Sequence, residues 1–224
     1  MYTLHYAPDN ASLIIRLVLD GAGIPYRTAL VDRRTRQQDS AAYRALNPAG
    51  LIPTLITPQG SISETGAILL WLGDTHTLCP KPDTAERPAF LKWLFFLSNT
   101  AHADLRQLFY PHQYCPADAH PAHAEIMAAR MQQHFTLLDE AAAGHPSLFA
   151  PAKPLGAYTL ALVRWSVLYT RGEWFDLALY PYLEQLAHAQ ERRVETPVIA
   201  RAEGLGPTPF SRPSLPNPPE GSAF

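Results

Sequence analysis

Leu46-Asn47-Pro48-Ala49-Gly50-Leu51-Ile52-Pro53-Thr54-Leu55, followed by Ser63-Glu64-Thr65-Gly66-Ala67-Ile68-Leu69, reads as a turn, a strand entered through a proline, a hairpin and a helix. Pro53 has no N–H to offer a sheet ladder, so it belongs at an irregular strand entry. It is also a candidate for a cis bond, which turns the Ile52 backbone outward. The first N–H groups of the helix after Glu64 have no partner within the helix and suit an anion. A free backbone amide beside such a helix start suits a peptide-like ligand carrying a carboxylate.

On the N-terminal side of this stretch, residues 2–6 alternate as a strand. Leu13, Ile14, Leu17, Val18 and Ala22 then recur at helical spacing, and Tyr26 to Val31 reads as a second strand. Strand, helix, strand implies a parallel pair joined by a right-handed crossover. Residues 33–45 are polar and suit a short surface helix. Thr57-Pro58-Gln59-Gly60 marks a hairpin turn before the helix from Glu64 to about Thr77. The order βαβαββα over residues 1–78 is a complete small α/β unit.

Cys79-Pro80-Lys81-Pro82-Asp83 opens a linker over 79–84, beyond which the pattern is helical. Asp83 and Glu86 form a capping-box-like start for a helix through Trp93 and Phe96 to about Leu108. Tyr110 to Pro116 reads as a loop. Further helices are expected over about Pro121–Ala143, Leu155–Tyr169 and Pro181–Arg192. Residues 85–205 therefore read as an all-helical domain. The six prolines from Pro207 to Pro219 forbid regular structure in a 206–224 tail, leaving a disordered segment or an extended strap.

A formal net charge of −2 gives no basic footprint for nucleic acid. No apolar run is long enough to span a bilayer, and no signal-peptide pattern follows Met1. Cys79 and Cys115 form no disulfide framework, which suits a reducing cytoplasm.

The 46–69 stretch resembles the thioredoxin-like domain of glutathione transferases, and the helical half resembles theirs in order and length. The resemblance implies a cytosolic, bacterial-type enzyme with glutathione as co-substrate, a hydrophobic electrophile as second substrate, no permanently bound cofactor and a homodimeric state. It also implies roles for particular residues. Ile52 would pair its backbone with the cysteinyl unit, beside a cis Pro53. Thr65 and the helix start would take the γ-glutamyl carboxylate, Glu64 the amine, and Gln38 the glycyl carboxylate.

Chemistry would depend on Tyr6-Ala7-Pro8-Asp9-Asn10-Ala11-Ser12. A free thiol has a pKa near ~8.5, and lowering it by about two units requires ~2.7 kcal/mol of differential stabilisation. One hydrogen bond to the charged sulfur supplies roughly 1.5–3 kcal/mol. Against relatives reading Tyr-Ser-Pro-Gly-Ala-Cys-Ser-Leu, Ala11 stands at the cysteine position, which removes mixed-disulfide chemistry there. Asn10 or Ser12 remains as the thiolate donor, or neither does, since both residue types are also helix caps. Tyr6 reads as a packed aromatic. Relatives also start the core helix with a Ser/Thr-x-x-Asp cap that Pro154-Leu155-Gly156-Ala157-Tyr158 lacks.

Three functions stay open: conjugation of glutathione to an electrophile, glutathione-dependent reduction or isomerisation, and a non-catalytic glutathione-binding module. His112, Cys115, His120 and His123 are interrupted by prolines and match no familiar zinc spacing, so no metal site is expected. In the same loop, Tyr110, His112 and Tyr114 are candidates to border the electrophile pocket. Arg33, Arg34, Arg192 and Arg193 are expected to be exposed.

Overall fold

The computed structural model describes residues 1–169 and 173–223. Residues 170–172 and 224, within the expected helical half and tail, lie outside the described residues. A four-stranded mixed sheet has the order β2-β1-β3-β4, with β1 (Tyr2–Tyr6), β2 (Tyr26–Leu30), β3 (Thr54–Thr57) and β4 (Gly60–Ser63). β1 runs parallel to β2 and antiparallel to β3, with Leu4 opposite Leu55. α1 (Ser12–Gly21) packs on β1 and on α3 (Thr65–His76). The short α2 (Ala41–Arg44) starts on the side chain of Ser40, which accepts the Tyr43 N–H. This is the thioredoxin-like βαβαββα unit that the strand and helix order implies.

The second half is helical: α4 (Arg87–Phe96), α5 (His102–Phe109), α6 (His120–Gly144), α7 (Pro154–Tyr169), α8 (Pro181–Glu191) and α9 (Thr196–Glu203). Every residue from Pro154 to Ser166 is buried, because α7 is flanked by α1, α4, α5 and α8. A helix apolar on all sides is what such a central position demands. Its start needs no hydroxyl cap: a Cβ on Gly156 would lie 2.3 Å from the Ala150 carbonyl oxygen, so only glycine admits the preceding chain there.

Three details depart from the sequence reading. The Asp83–Glu86 capping box does not form; α4 begins at Arg87, which instead pairs with Asp74 at the end of α3. The expected single helix to about Leu108 is divided by a π turn at Leu97–Ala101. α9 lies beyond the last helix expected from periodicity, its eight residues too few for a clear pattern.

The proline-rich tail is an extended strap, held along its length by hydrogen bonds to buried and half-buried groups of the folded body. Arg164 donates to the carbonyls of Pro209 and Ser214 at 2.9 and 3.1 Å. The Glu191 carboxylate accepts the Phe210 and Ser211 N–H groups. Asn217 donates to Gly204 O, Tyr6 to the Glu220 carboxylate, and Arg33 to Ala223 O.

Candidate functional site

One cleft of about 930 Å³ runs between the sheet unit and the helices. Its lining joins three sequence-distant segments: Asp9, Asn10 and Ala11 at the head of α1, Asn47 to Pro53, and Glu64 to Ala67 at the head of α3. α4, α5 and α7 close the other side through Phe95, His102, Tyr158 and Trp165. Two helix N-termini therefore face one space, each with a partial positive charge; at α1 the Leu13 and Ile14 N–H groups are already taken by the carbonyls of Asn10 and Ala11. The π turn brings Ser98 and Asn99 to the same wall. Gly66 permits this, since a Cβ there would lie 3.2 Å from the Ser98 side chain.

The loop before β3 is held from behind. Leu51 O accepts from Tyr43 Oη and Asn47 Nδ2, both at 2.7 Å, and Tyr43 Oη also meets Thr54 Oγ1 at 3.0 Å. The Ile52–Pro53 bond is cis. Glu64 has φ +69°, a conformation that L-residues rarely adopt. Among the non-glycine residues at positive φ, both Glu64 and Asp9 line the cleft, where such strain tends to be retained for function.

Of the residues singled out in the sequence, Asn10, Ile52, Pro53, Glu64 and Thr65 meet in this cleft, whereas Ser12 and Gln38 do not line it. Ser12 is fully buried, and its hydroxyl donates to Ala7 O at 3.0 Å and accepts the Ala7 N–H at 3.3 Å. It staples the turn of residues 7–12. Gln38 sits on the far side of Gly50, where its own carbonyl lies close to the glycine. Asn10 Oδ1 accepts the Ala11 N–H at 2.8 Å. Its Nδ2 hydrogens have no partner among the described residues. Tyr6 is 2% exposed and lies under the Arg16 guanidinium, away from the cleft.

The cleft also contains residues that pattern reading passed over. The Asp9 carboxylate receives Arg164 Nε and Nη2, each at 2.9 Å, Trp165 Nε1 at 2.9 Å, and the Tyr169 hydroxyl. Its own N–H donates to Glu203, which also pairs with Arg16 at 2.6 Å. Two signals pointed here. Asp9 stands where the resembled pattern has glycine, and Arg164 interrupts an apolar helix, which demands a buried partner. Arg33, expected at the surface, lines the cleft and donates to Tyr110 Oη at 3.2 Å. Arg193 likewise is held by Glu195 and Gly21 O. From the 110–116 loop only Tyr110 reaches the cleft, not His112 or Tyr114. Among the described residues no group of three or more His, Cys, Asp or Glu is placed to hold a metal. Neither Cys79 nor Cys115 lines the cleft, and burial pushes the Cys79 thiol up to about 11.

His102 Nδ1 lies 2.9 Å from Tyr158 Oη, with the ring 5.5 Å from that of Trp165. Burial, helped by the Arg106 charge, pushes its pKa down from 6.5 to about 4. The unfolded chain therefore takes up this proton first as pH falls, so the contribution of neutral His102 to stability is complete above about 6.5 and is lost progressively between 6.5 and 4. Urea midpoints from pH 7.5 down to 4.5 are expected to fall less steeply in His102→Gln than in the parent. Parallel curves would show that the imidazole is not held neutral.

No helix among the described residues is long and apolar enough to cross a membrane. Residues 11–75 match the family model described as glutathione S-transferase, N-terminal domain. Glutathione S-transferase GST-4.5 of Xanthomonas campestris pv. campestris is 29% identical over 119 residues, covering 52% of this chain and 57% of the relative. The disulfide-bond oxidoreductase YfcG of Escherichia coli is 28% identical over 188 residues, covering 81% and 86%. A sphingomonad glutathione S-transferase solved in complex with glutathione is 26% identical, with a TM-score of 0.72 over 91% of this chain and all of that one. With the matched model, these relatives and the four-stranded fold in agreement, residues 11–75 form a glutathione S-transferase N-terminal domain, and the chain as a whole is similar to glutathione transferases.

Proposed function

We propose that the cleft binds glutathione and activates its thiol for attack on an electrophilic small molecule. The observation that carries this reading is the convergence of Asn10, Ile52, Pro53, Glu64 and Thr65, from three segments, on one space at two helix N-termini. Ile52 offers a backbone amide edge for the cysteinyl unit, which then places the sulfur toward Asn10. Thr65 and the free N–H groups of α3 receive the γ-glutamyl carboxylate, and Glu64 takes the amine. The Asn10 amide is the donor for the thiolate, with the α1 N-terminus adding about 0.3–1 kcal/mol. The apolar wall of Phe95, Phe109, Tyr110 and Trp165 receives the electrophile. Glutathione is a co-substrate here, and a homodimer in the cytoplasm is part of the same reading.

Calorimetry with millimolar glutathione, paired with an ultraviolet titration of the bound thiol, tests both halves. Heat of binding with a thiolate band at neutral pH supports catalysis. Heat without the band supports a binding module, and no heat rejects the reading. Glu64→Gln removes the charge facing the ligand amine, and a lost charge-assisted hydrogen bond of roughly 1.5–3 kcal/mol corresponds to at least about tenfold weaker glutathione binding. Unchanged affinity would remove Glu64 from the site.

The similarity to a disulfide-bond oxidoreductase over most of the chain favours a second reading on the same cleft. Glutathione thiolate would attack one sulfur of a substrate disulfide, forming a mixed disulfide and expelling the other sulfur as a thiolate, which takes up a proton from solvent. With Ala11 in the first turn and no cysteine lining the cleft, all sulfur chemistry would belong to glutathione and substrate. Turnover of a small disulfide faster than a chloronitrobenzene would select this reading.

A further inference from the structure

The charges that line the cleft are Asp9, Arg33, Glu64 and Arg106. They are not balanced in place. Asp9 is consumed by Arg164, and Glu64 belongs to the glutathione end under the reading above. Arg33 and Arg106 have no carboxylate partner among the described residues. Arg33 Nη1 meets only the neutral carbonyl of Ala223, and its Nη2 the Tyr110 hydroxyl at 3.2 Å. Arg106 Nη2 meets the side-chain oxygen of Gln113 at 2.9 Å, and its guanidinium carbon lies 5.1 Å from the centroid of the Tyr110 ring.

Both guanidiniums are thus oriented by neutral acceptors and share one aromatic ring, which leaves their charges unspent. Two such cations in a water-restricted cleft disfavour each other, and an anion between them relieves that repulsion. The field of Arg106 already reaches the cleft wall, where it helps keep His102 neutral. Around them stand the rings of Phe109, Tyr110 and Tyr169; the carboxylate that Tyr169 meets, Asp9, is already paired with Arg164.

Building on the transferase reading, we propose that the second substrate is an electrophile with an aromatic or alkyl body and a carboxylate, held by Arg33 and Arg106 at the hydroxyl and ring face of Tyr110. A planar guanidinium fork suits a carboxylate better than any neutral group. The tail takes part, because the Ala223 carbonyl holds Arg33 at the cleft.

A matched pair of probes tests this at equilibrium: 3-nitrobenzoate and its methyl ester, titrated calorimetrically into the glutathione-saturated protein. The acid is expected to bind at least tenfold tighter than the ester, and raised salt is expected to narrow the gap. Arg33→Met and Arg106→Met should each reduce the preference severalfold with ester affinity unchanged, and the double variant should abolish it. In turnover, 4-chloro-3-nitrobenzoate should be preferred to its ester. There the glutathione sulfur bonds to the chlorine-bearing carbon, chloride leaves with its bonding pair, and the thiol proton passes to solvent. Equal affinities in the parent protein, or a preference that survives in the double variant, would overturn the proposal. Failure of glutathione itself to bind would reject the transferase reading instead. The same probe pair, titrated without glutathione, still decides whether the two arginines select a carboxylate.

Discussion

Asp9→Ala is expected to lower the stability of the folded chain by about 3–5 kcal/mol, the effect of leaving a buried charge without its partner. Arg164 is fully buried, and Asp9 is its only carboxylate among the described residues. The loss has a second source: alanine is poorly suited to φ +46°, a conformation that aspartate tolerates better. Asp9→Asn separates the two, since asparagine accepts the backbone conformation but not the full charge. Because Arg164 also holds Pro209 O and Ser214 O, the strap should become sensitive to limited proteolysis in the same variant. Combining Asp9→Ala with Arg164→Met should recover a large share of the stability, because no buried charge then remains unpaired. Urea denaturation of the two single variants and the double provides the coupling energy. A loss below about 1 kcal/mol for Asp9→Ala would show that water reaches Arg164.

The second large effect is chemical. With Ser12 occupied by Ala7, Asn10 is the remaining side-chain donor in the first turn that faces the cleft. Asn10→Ala should raise the pKa of bound glutathione thiol by about one to two units, the equivalent of one hydrogen bond to a charged acceptor. Conjugation at pH 6.5 should therefore fall roughly tenfold or more, with the deficit shrinking as pH rises past the free-thiol value near ~8.5. Glutathione affinity should change only a few-fold. Ser12→Ala should leave the pH–rate profile in place and reduce stability by about 1–3 kcal/mol, the cost of leaving the buried Ala7 backbone groups without that hydroxyl. An unchanged profile in Asn10→Ala would assign activation to the α1 N-terminus alone.

The readable parts of this protein were those whose physics is local. A proline at a strand entry, a hairpin turn and an acidic–hydroxyl helix start each declare themselves within a few residues, and Ile52, Pro53, Glu64 and Thr65, which carry those signals, line one cleft. The long helices were legible from spacing because one apolar face must be buried. Interruptions were not. The π turn at Leu97–Ala101 has the same apolar spacing as an ordinary helix, and only contact with α7 and the head of α3 distinguishes it. Arg33 illustrates the same limit, since an arginine beside another arginine reads as solvated until a carbonyl from the far end of the chain is found against it.

The amino-acid order alone determined the βαβαββα unit and the helical half, since periodicity and turn chemistry act over a few residues at a time. Only the tertiary structure separated Asn10 from Ser12, because two polar side chains two residues apart differ in whether the cleft or Ala7 stands opposite. It alone joined Asp9 to Arg164 across 155 positions, and turned a proline-rich end into a strap at the cleft. The reason is that a buried charge is stabilised by whatever the fold brings within about 3 Å of it, and chain separation carries no record of that partner.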